Sequence, residues 1–366
     1  RYRAWVAGLN RGQKIRYRLL QAATVIAIII IAAYLALSAW IRLPEVPNLP
    51  GTTPGGTQTS NEGMFEDAEL PNVAKSGRKP GYYTFLVAGQ DVVSGGTDTI
   101  LLFTFDTQNK TLNAVSILRD TMINTSASSK RINSVYARNR GSSDLPEAER
   151  VENGMAALKQ EVSKLTGIYP DFYVLVQWEA IGELVDALGG VYFDVPFDMD
   201  YDDPYQDLHI HYTKGQHHLN GQQAMEVVRF RHNNDGSGYT DVGRAEMQRQ
   251  VLVALAKKVV SWNSLTKVQE FVEIFQEYVK TDLSTTDMLY FASQAVGVDL
   301  DTGITQGTLE GRGEGVVRGY KYCFVFQAED ILPTLNELVN PYDQPLTEED
   351  LDLPQAEYYW NGTVIN

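Results

Sequence analysis

From residue 82 onward, short and nearly continuous apolar runs alternate with stretches of helical periodicity. Residues 83–88 (YTFLVA), 99–105 (TILLFTF) and 111–117 (TLNAVSI) have strand length and are rich in aromatic and β-branched side chains. Gly89 opens a loop, and 106–110 form a turn. Runs that are apolar throughout, not alternating, predict a sheet covered on both faces. Helices are expected at about 147–165 and 178–188, the second stopped by Gly189-Gly190. A strand follows at 191–195, then helices at 221–228, 243–262, 264–279, 284–297 and 328–339, with a short strand at 323–326. This order predicts an α/β fold: a single layered domain, 82–342, with a mixed central β-sheet flanked by helices. The acidic C-terminal tail, 343–366, reads as loosely packed.

Residues 19–41 (LLQAATVIAIIIIAAYLALSAWI) carry no charge. At about 1.5 Å per residue they reach about 35 Å, enough for a hydrocarbon core of about 30 Å. The segment is apolar on every face, unlike an amphipathic core helix. Its apolar run is also longer than that of a cleaved signal peptide. It predicts one N-terminal transmembrane helix. Arg1, Arg3, Arg11, Lys14, Arg16 and Arg18 precede it with no acidic residue, so 1–18 is expected to be a cytoplasmic basic tail. The remainder then lies outside a single-pass cell-membrane anchor. Residues 42–81, rich in Pro, Gly and Thr, read as an extracytoplasmic linker. As a flexible coil it would span roughly 30–35 Å.

The 366-residue chain has a net charge of −15. Beyond residue 18 the balance is 25 Lys and Arg against 46 Asp and Glu, a net of −21. So acidic a domain is a poor nucleic-acid binder and has no reason to dock broadly on anionic lipid. One cysteine, Cys323, excludes a disulfide framework and a Cys-rich zinc site. It reads as a buried small hydrophobe.

The candidate chemistry lies at one end of the predicted hairpin. If residues 105 and 112 pair across the turn, paired positions sum to 217, and Asp98 falls opposite Arg119. The loop returning to that edge carries Asp91. Asp91, Asp98, Arg119 and Asp120 should therefore gather. A second group is Arg229, Arg231, Arg244 and Gln248. Arg229 and Arg231 would share a side in an extended segment, and Arg244 and Gln248 share a helix face. Arg244 also sits at a helix N-terminus, which favours anions. Two readings stand side by side. One is an internal ion-pair network. The other is a phosphate site, in which guanidinium forks grip oxygens and carboxylates hold Mg²⁺.

In order along the chain, FLVAGQD (85–91), TDTILLFTFD (97–106), VSILRDT (115–121), RINSVYA (131–137), LTGIYPDFYVLV (165–176), LVDALGGVYFDVP (184–196), LNGQQAMEVVRFRH (219–232) and DVGRAEMQRQ (241–250) resemble the LytR–CpsA–Psr family of Gram-positive bacteria. The likeness runs from about Tyr82 to Ala256, and Asn340-Pro-Tyr342 resembles the family's closing segment. The resemblance implies a membrane-anchored phosphotransferase. Such an enzyme moves a glycopolymer from an undecaprenyl-pyrophosphate carrier to peptidoglycan through a phosphodiester bond. By motif, it implies catalytic roles for Asp91, Arg119, Asp120, Arg229 and Arg231. It implies pyrophosphate contacts from Arg119, Arg229, Arg231, Arg244 and Gln248, and Mg²⁺ at Asp91 and Asp98. Asp91 or Asp120 would serve as general base. Many members carry an arginine where this chain has Gly96, so its phosphate clamp has one fewer positive charge. A polyprenyl-pyrophosphate hydrolase and a non-catalytic lipid-pyrophosphate-binding envelope regulator are the alternatives. The family's lipid tunnel is implied only by the resemblance. Met155, Leu158, Val162, Leu165, Ile181, Leu184, Val185 and Leu188 read as ordinary helical core.

Other signals are set aside. His209-x-His211 and His217-His218 lack a nearby cysteine and read as strand surface. Asp198-x-Asp200-x-Asp202 resembles a calcium loop but has Asp203 in place of the required Gly and His209 in place of the closing Glu. It reads as a solvated acidic loop. Ser264-Leu-Thr-Lys267 lacks the motifs that accompany a Ser-x-x-Lys nucleophile, and it reads as a helix start.

Overall fold

In the computed structural model the hairpin closes in the expected register: Ile100 faces Ile117, Phe105 faces Leu112 and Asp106 faces Thr111. The structure describes residues 43–44, 77–90, 95–177, 179–203, 208–239, 241–261, 277, 279–295, 297–299, 302–312, 315–316, 324–354, 357–360 and 363–365. They belong to two units, Val46–Asp282 with Gln294–Asn366, and Arg1–Glu45 with Leu283–Ser293. In the second unit, the described part beyond Leu43 and Pro44 lies almost wholly in the helix Thr285–Ala295. The transmembrane expectation at 19–41 falls outside the described residues. Among the described residues no helix is long and apolar enough to cross a membrane.

The larger unit is built on a six-stranded sheet. Its strands are β1 (Tyr82–Gln90), β2 (Thr97–Asp106), β3 (Thr111–Ile117), β4 (Phe172–Gln177), β9 (Val279–Thr281) and β10 (Ile304–Thr308), in the order β10-β3-β2-β1-β4-β9. The β1–β2, β2–β3 and β4–β9 pairs are antiparallel, whereas β1–β4 and β3–β10 are parallel. The sheet is mixed and flanked by helices, as the element order predicts. Helix α1 (Glu147–Thr166) contributes Met155, Leu158, Val162 and Leu165 to one apolar cluster with Leu86, Leu102, Val115 and Ile117. Glu147 and Glu149 sit in its first turn, where the helix dipole favours them. Gly167 ends it with φ +71°, and a Cβ there would lie 2.7 Å from Leu346 Cδ2.

That contact corrects the expectation of a loosely packed tail. Tyr342 and Leu346 are buried in the same cluster, and Thr347 and Asp350 cap a single turn. The acidic residues of this stretch mask its apolar anchors in the sequence. Nearby, Asp171 is fully buried. It takes two hydrogen bonds from Arg78, at 2.5 and 2.7 Å, and one from the Thr84 amide at 2.8 Å.

A second apolar cluster joins helix α2 (Glu179–Ala187) to two hairpins and two further helices. The hairpins pair β5 (Val191–Val195) with β8 (Gly215–Leu219) and β6 (Met199–Asp203) with β7 (Leu208–Tyr212). The helices are α3 (Gly221–Arg229) and α4 (Asp241–Ser261). Ile181, Leu184, Val185 and Leu188 lie here, not with the apolar face of α1. All eight helical positions are core, and the two helices feed separate clusters.

Two further expectations change. The acidic stretch 198–202 is not a loop: it supplies strand β6, held by its pairing with β7. The helix expected to run to 279 meets strand β9 instead, where β-branched Val279 and Thr281 pair with β4. Residues 264–276 and Cys323 are outside the described residues, as is most of the linker.

Candidate functional site

Strand direction gathers the chemistry at one sheet edge. Because β1 and β4 are parallel, Gln90 pairs with Gln177, and the antiparallel β2 starts beside it at Thr97. Carboxyl ends of parallel strands are where open α/β sheets bind ligands. At this edge Arg119 Nη1 lies 3.1 Å from Asp98 Oδ1 and Arg119 Nε lies 3.5 Å from Asp120 Oδ2. Asp120 Oδ1 lies 3.0 Å from Arg131 Nη1. The four residues alternate in sign, Asp98–Arg119–Asp120–Arg131.

The local backbone explains this order. Thr121 N–H closes a turn on Leu118 O at 2.9 Å, so the chain bends straight after β3. Asn133 N–H donates to Arg119 O at 3.2 Å, and Ile132 N–H to Thr121 O at 2.9 Å. On the other side Met122 N–H donates to Phe324 O at 2.9 Å. Buried Met122 and Ile132 anchor the two segments that carry the charges.

The cluster is open. Arg119 and Arg131 keep 29% and 38% of their side chains exposed, so it is not a sealed core network. Ion pairs this exposed contribute only about 0.2–1 kcal/mol each. Stability alone is therefore a weak account of four charges at one strand edge. Asp91 lies outside the described residues.

The second basic group is set by helix α3. Asn220 Oδ1 accepts from the Gln223 amide at 2.9 Å, and Gln223 Oε1 accepts from the Asn220 amide at 3.0 Å. This reciprocal cap fixes where the helix begins. Gly221 is required next to it, because a Cβ would lie 2.2 Å from Gly182 O on α2. Arg229 is the last helical residue, so the pair is not in one extended strand as expected. Phe230 turns inward, fully buried against Phe197 and Tyr239, with ring centroids 5.9 Å from each. Arg229 and Arg231 flank it, both exposed. Tyr239 N–H donates to Arg231 O at 3.1 Å and folds the following loop back. Burial pushes the Tyr239 hydroxyl pKa well above its ordinary value.

Helix α4 carries Arg244 in its first turn and Gln248 one turn later; their side chains are outside the described residues. Met247, Val251 and Leu255 enter the second core, and the helix also lies against β2 and β3. It thereby ties the Arg229–Arg231 region to the hairpin that bears Asp98 and Arg119.

Arg131 stands outside the candidate residues that the sequence points to. The available signal was a basic residue beside buried Ile132 in RINSVYA. Its placement beside Asp120 depends on a loop pairing that no local pattern reveals.

Comparison with known proteins agrees with this architecture. One relative is the polyisoprenyl-teichoic acid–peptidoglycan teichoic acid transferase TagV of Bacillus subtilis (strain 168). It is 32% identical over 200 residues, covering 53% of this chain and 47% of the relative. The chain thus spans about half that relative's length. The TagU transferase of Bacillus cereus (strain AH820) is 33% identical over 230 residues, covering 62% of this chain and 68% of the relative. The crystal structure of B. subtilis TagV superposes with a TM-score of 0.56 at 26% identity, covering 71% of this chain and 97% of that one. The LytR_cpsA_psr family model matches residues 56–339, a span that holds both basic groups and the whole strand edge, and the chain belongs to that family.

Proposed function

We propose that this protein is a phosphotransferase that moves a glycopolymer from a polyprenyl-pyrophosphate carrier, undecaprenyl in type, to peptidoglycan. The observation that carries the reading is the open Asp98–Arg119–Asp120–Arg131 cluster at the carboxyl edge of the sheet, in a chain that resembles two proteins named as transferases, TagV and TagU.

The acceptor hydroxyl attacks the sugar-side phosphorus. A new P–O bond forms, the bond to the bridging oxygen breaks, and polyprenyl phosphate departs with the electron pair. Arg119, Arg229, Arg231 and Arg244 neutralise the phosphoryl oxygens, and Gln248 adds a neutral donor. Asp120 orients the guanidiniums of Arg119 and Arg131. The acceptor's proton passes to a carboxylate, Asp91 or Asp120. The guanidiniums already on both oxygens of Asp120 favour Asp91. Asp91 and Asp98 would hold Mg²⁺. Asp98 fits because it is partly exposed, meets Arg119 through Oδ1, and offers oxygen to a hard cation. When bound, the ion neutralises charge on the pyrophosphate. A membrane anchor at 19–41, with residues 1–18 in the cytoplasm, would hold the domain on the outer side, beside lipid carrier and wall.

The test is incubation of the full chain with lipid-linked glycan, Mg²⁺ and peptidoglycan fragments. A glycan–peptidoglycan conjugate is expected. Free sugar phosphate would make it a hydrolase, and binding without turnover a non-catalytic regulator.

A further inference from the structure

The β6–β7 hairpin carries a cluster of titratable side chains that the proposed transfer does not use. In its antiparallel register Asp202 faces His209 and Asp200 faces His211. Residues two apart on a strand share a face. These four are exposed, while Met199, Leu208 and Ile210 are buried. His209 Nδ1 lies 2.5 Å from Asp202 Oδ1, and His211 Nε2 lies 3.4 Å from the same oxygen. On its other side, His211 Nδ1 lies 2.8 Å from Asp200 Oδ1. In the neutral imidazole whose Nδ1 donates to Asp200, the Nε2 lone pair faces Asp202.

We infer that Asp202, His209 and His211 bind a first-row divalent transition metal, zinc foremost, with Asp200 orienting His211. One ligand atom from each of the three lies within 4.8 Å of the others. Tetrahedral zinc, with bonds of about 2.0–2.2 Å, holds its ligand atoms about 3.3 Å apart. The His211–Asp202 separation already matches. The His209–Asp202 separation must open by about 1 Å to reach that spacing, which exposed side chains accommodate by small rotations.

Two imidazoles and one carboxylate suit zinc, whereas Mg²⁺ prefers oxygen alone. A carboxylate behind a ligating imidazole fixes its tautomer and raises its basicity. The strand is held from beyond the hairpin. Asp200 N–H donates to Asn233 Oδ1 at 2.7 Å, and Asp202 N–H to Asn234 Oδ1 at 3.3 Å. Asn234 N–H returns a bond to Asp200 O at 3.0 Å. A carboxylate from the facing strand, Asp202, stands where a cysteine ligand is missing.

Calorimetric titration of the untagged full chain in detergent with Zn²⁺ tests this without any transfer assay. One equivalent should bind. The His209→Ala/His211→Ala variant should lose it, and Asp200→Asn should weaken it by about 10–100-fold. A His217→Ala/His218→Ala variant should bind like the wild type, with circular dichroism showing every variant folded. No binding to the wild type, undiminished binding to His209→Ala/His211→Ala, or loss in His217→Ala/His218→Ala instead would overturn the inference.

Discussion

Asp98 and Arg119 meet at 3.1 Å two residues past Ile100–Ile117, the last paired position of the β2–β3 ladder. Beyond that point no rung of the ladder joins the two strands, yet the side chains continue the register. The pair therefore stands past the end of that ladder, with 29% of the Arg119 side chain and 22% of the Asp98 side chain exposed.

Arg119→Ala and Arg231→Ala are each expected to cut glycan transfer roughly ten- to hundredfold, since a hydrogen bond to a charged group contributes about 1.5–3 kcal/mol. Both side chains are at least partly exposed, so unfolding free energy should change by less than about 1 kcal/mol. Transfer assays paired with urea unfolding check this. Wild-type transfer in both variants would remove these arginines from the chemistry.

Metal removal gives a second prediction. EDTA should abolish transfer and added Mg²⁺ restore it. Asp98→Asn should raise the Mg²⁺ concentration for half-maximal activity by about tenfold or more, because a neutral amide is a poorer ligand for a hard cation. An unchanged Mg²⁺ requirement would assign Asp98 to Arg119 alone.

Asp171 offers a contrast between a buried pair and an exposed one. It is fully buried and holds Arg78 and Thr84 together. Removing one partner of a buried pair typically costs about 3–5 kcal/mol. Asp171→Ala should lose that much in urea unfolding, far more than Arg119→Ala. Equal losses in the two variants would contradict the assignment.

The pH dependence of stability should reveal Asp282. Its Oδ1 accepts from the Tyr173 amide at 2.7 Å, and Lys159 Nζ lies 3.4 Å from Oδ2. Burial pushes the Asp282 carboxyl pKa up and the Lys159 amine down, each against the partner's attraction. An acid whose folded pKa is raised is stabilising below its unfolded value of about 3.9 and loses that contribution as pH rises through the folded value. Wild-type stability relative to Asp282→Asn should therefore fall as pH rises from about 4, then level off. Urea unfolding between pH 4 and pH 7 measures it. A relative gain with rising pH would mean that Lys159 outweighs burial.

Much of the framework was legible because it rests on local rules. Turn arithmetic found the hairpin register, and with it Asp98 opposite Arg119. The helix expected at about 147–165 was legible from its apolar period, and it spans Glu147–Thr166. Other features were not local. Arg131 reaches Asp120 only because a loop folds back on the strand end. Leu346 reaches the core from an acidic stretch that reads as loosely packed. The Asp-rich run 198–202 became a strand only because β7 lies beside it.

By itself, then, the chain determined the first three strands, β5, the main helices, the strand pairing around the first turn and the residue types at that end of the sheet. These depend on side-chain periodicity and backbone geometry over a few residues. Only the tertiary structure decided that Arg131 completes the charge row, that two helices feed separate cores, and that Asp202 meets His209 and His211. Those meetings depend on which surfaces bury against each other across long stretches of chain, and burial is a property of the packed whole.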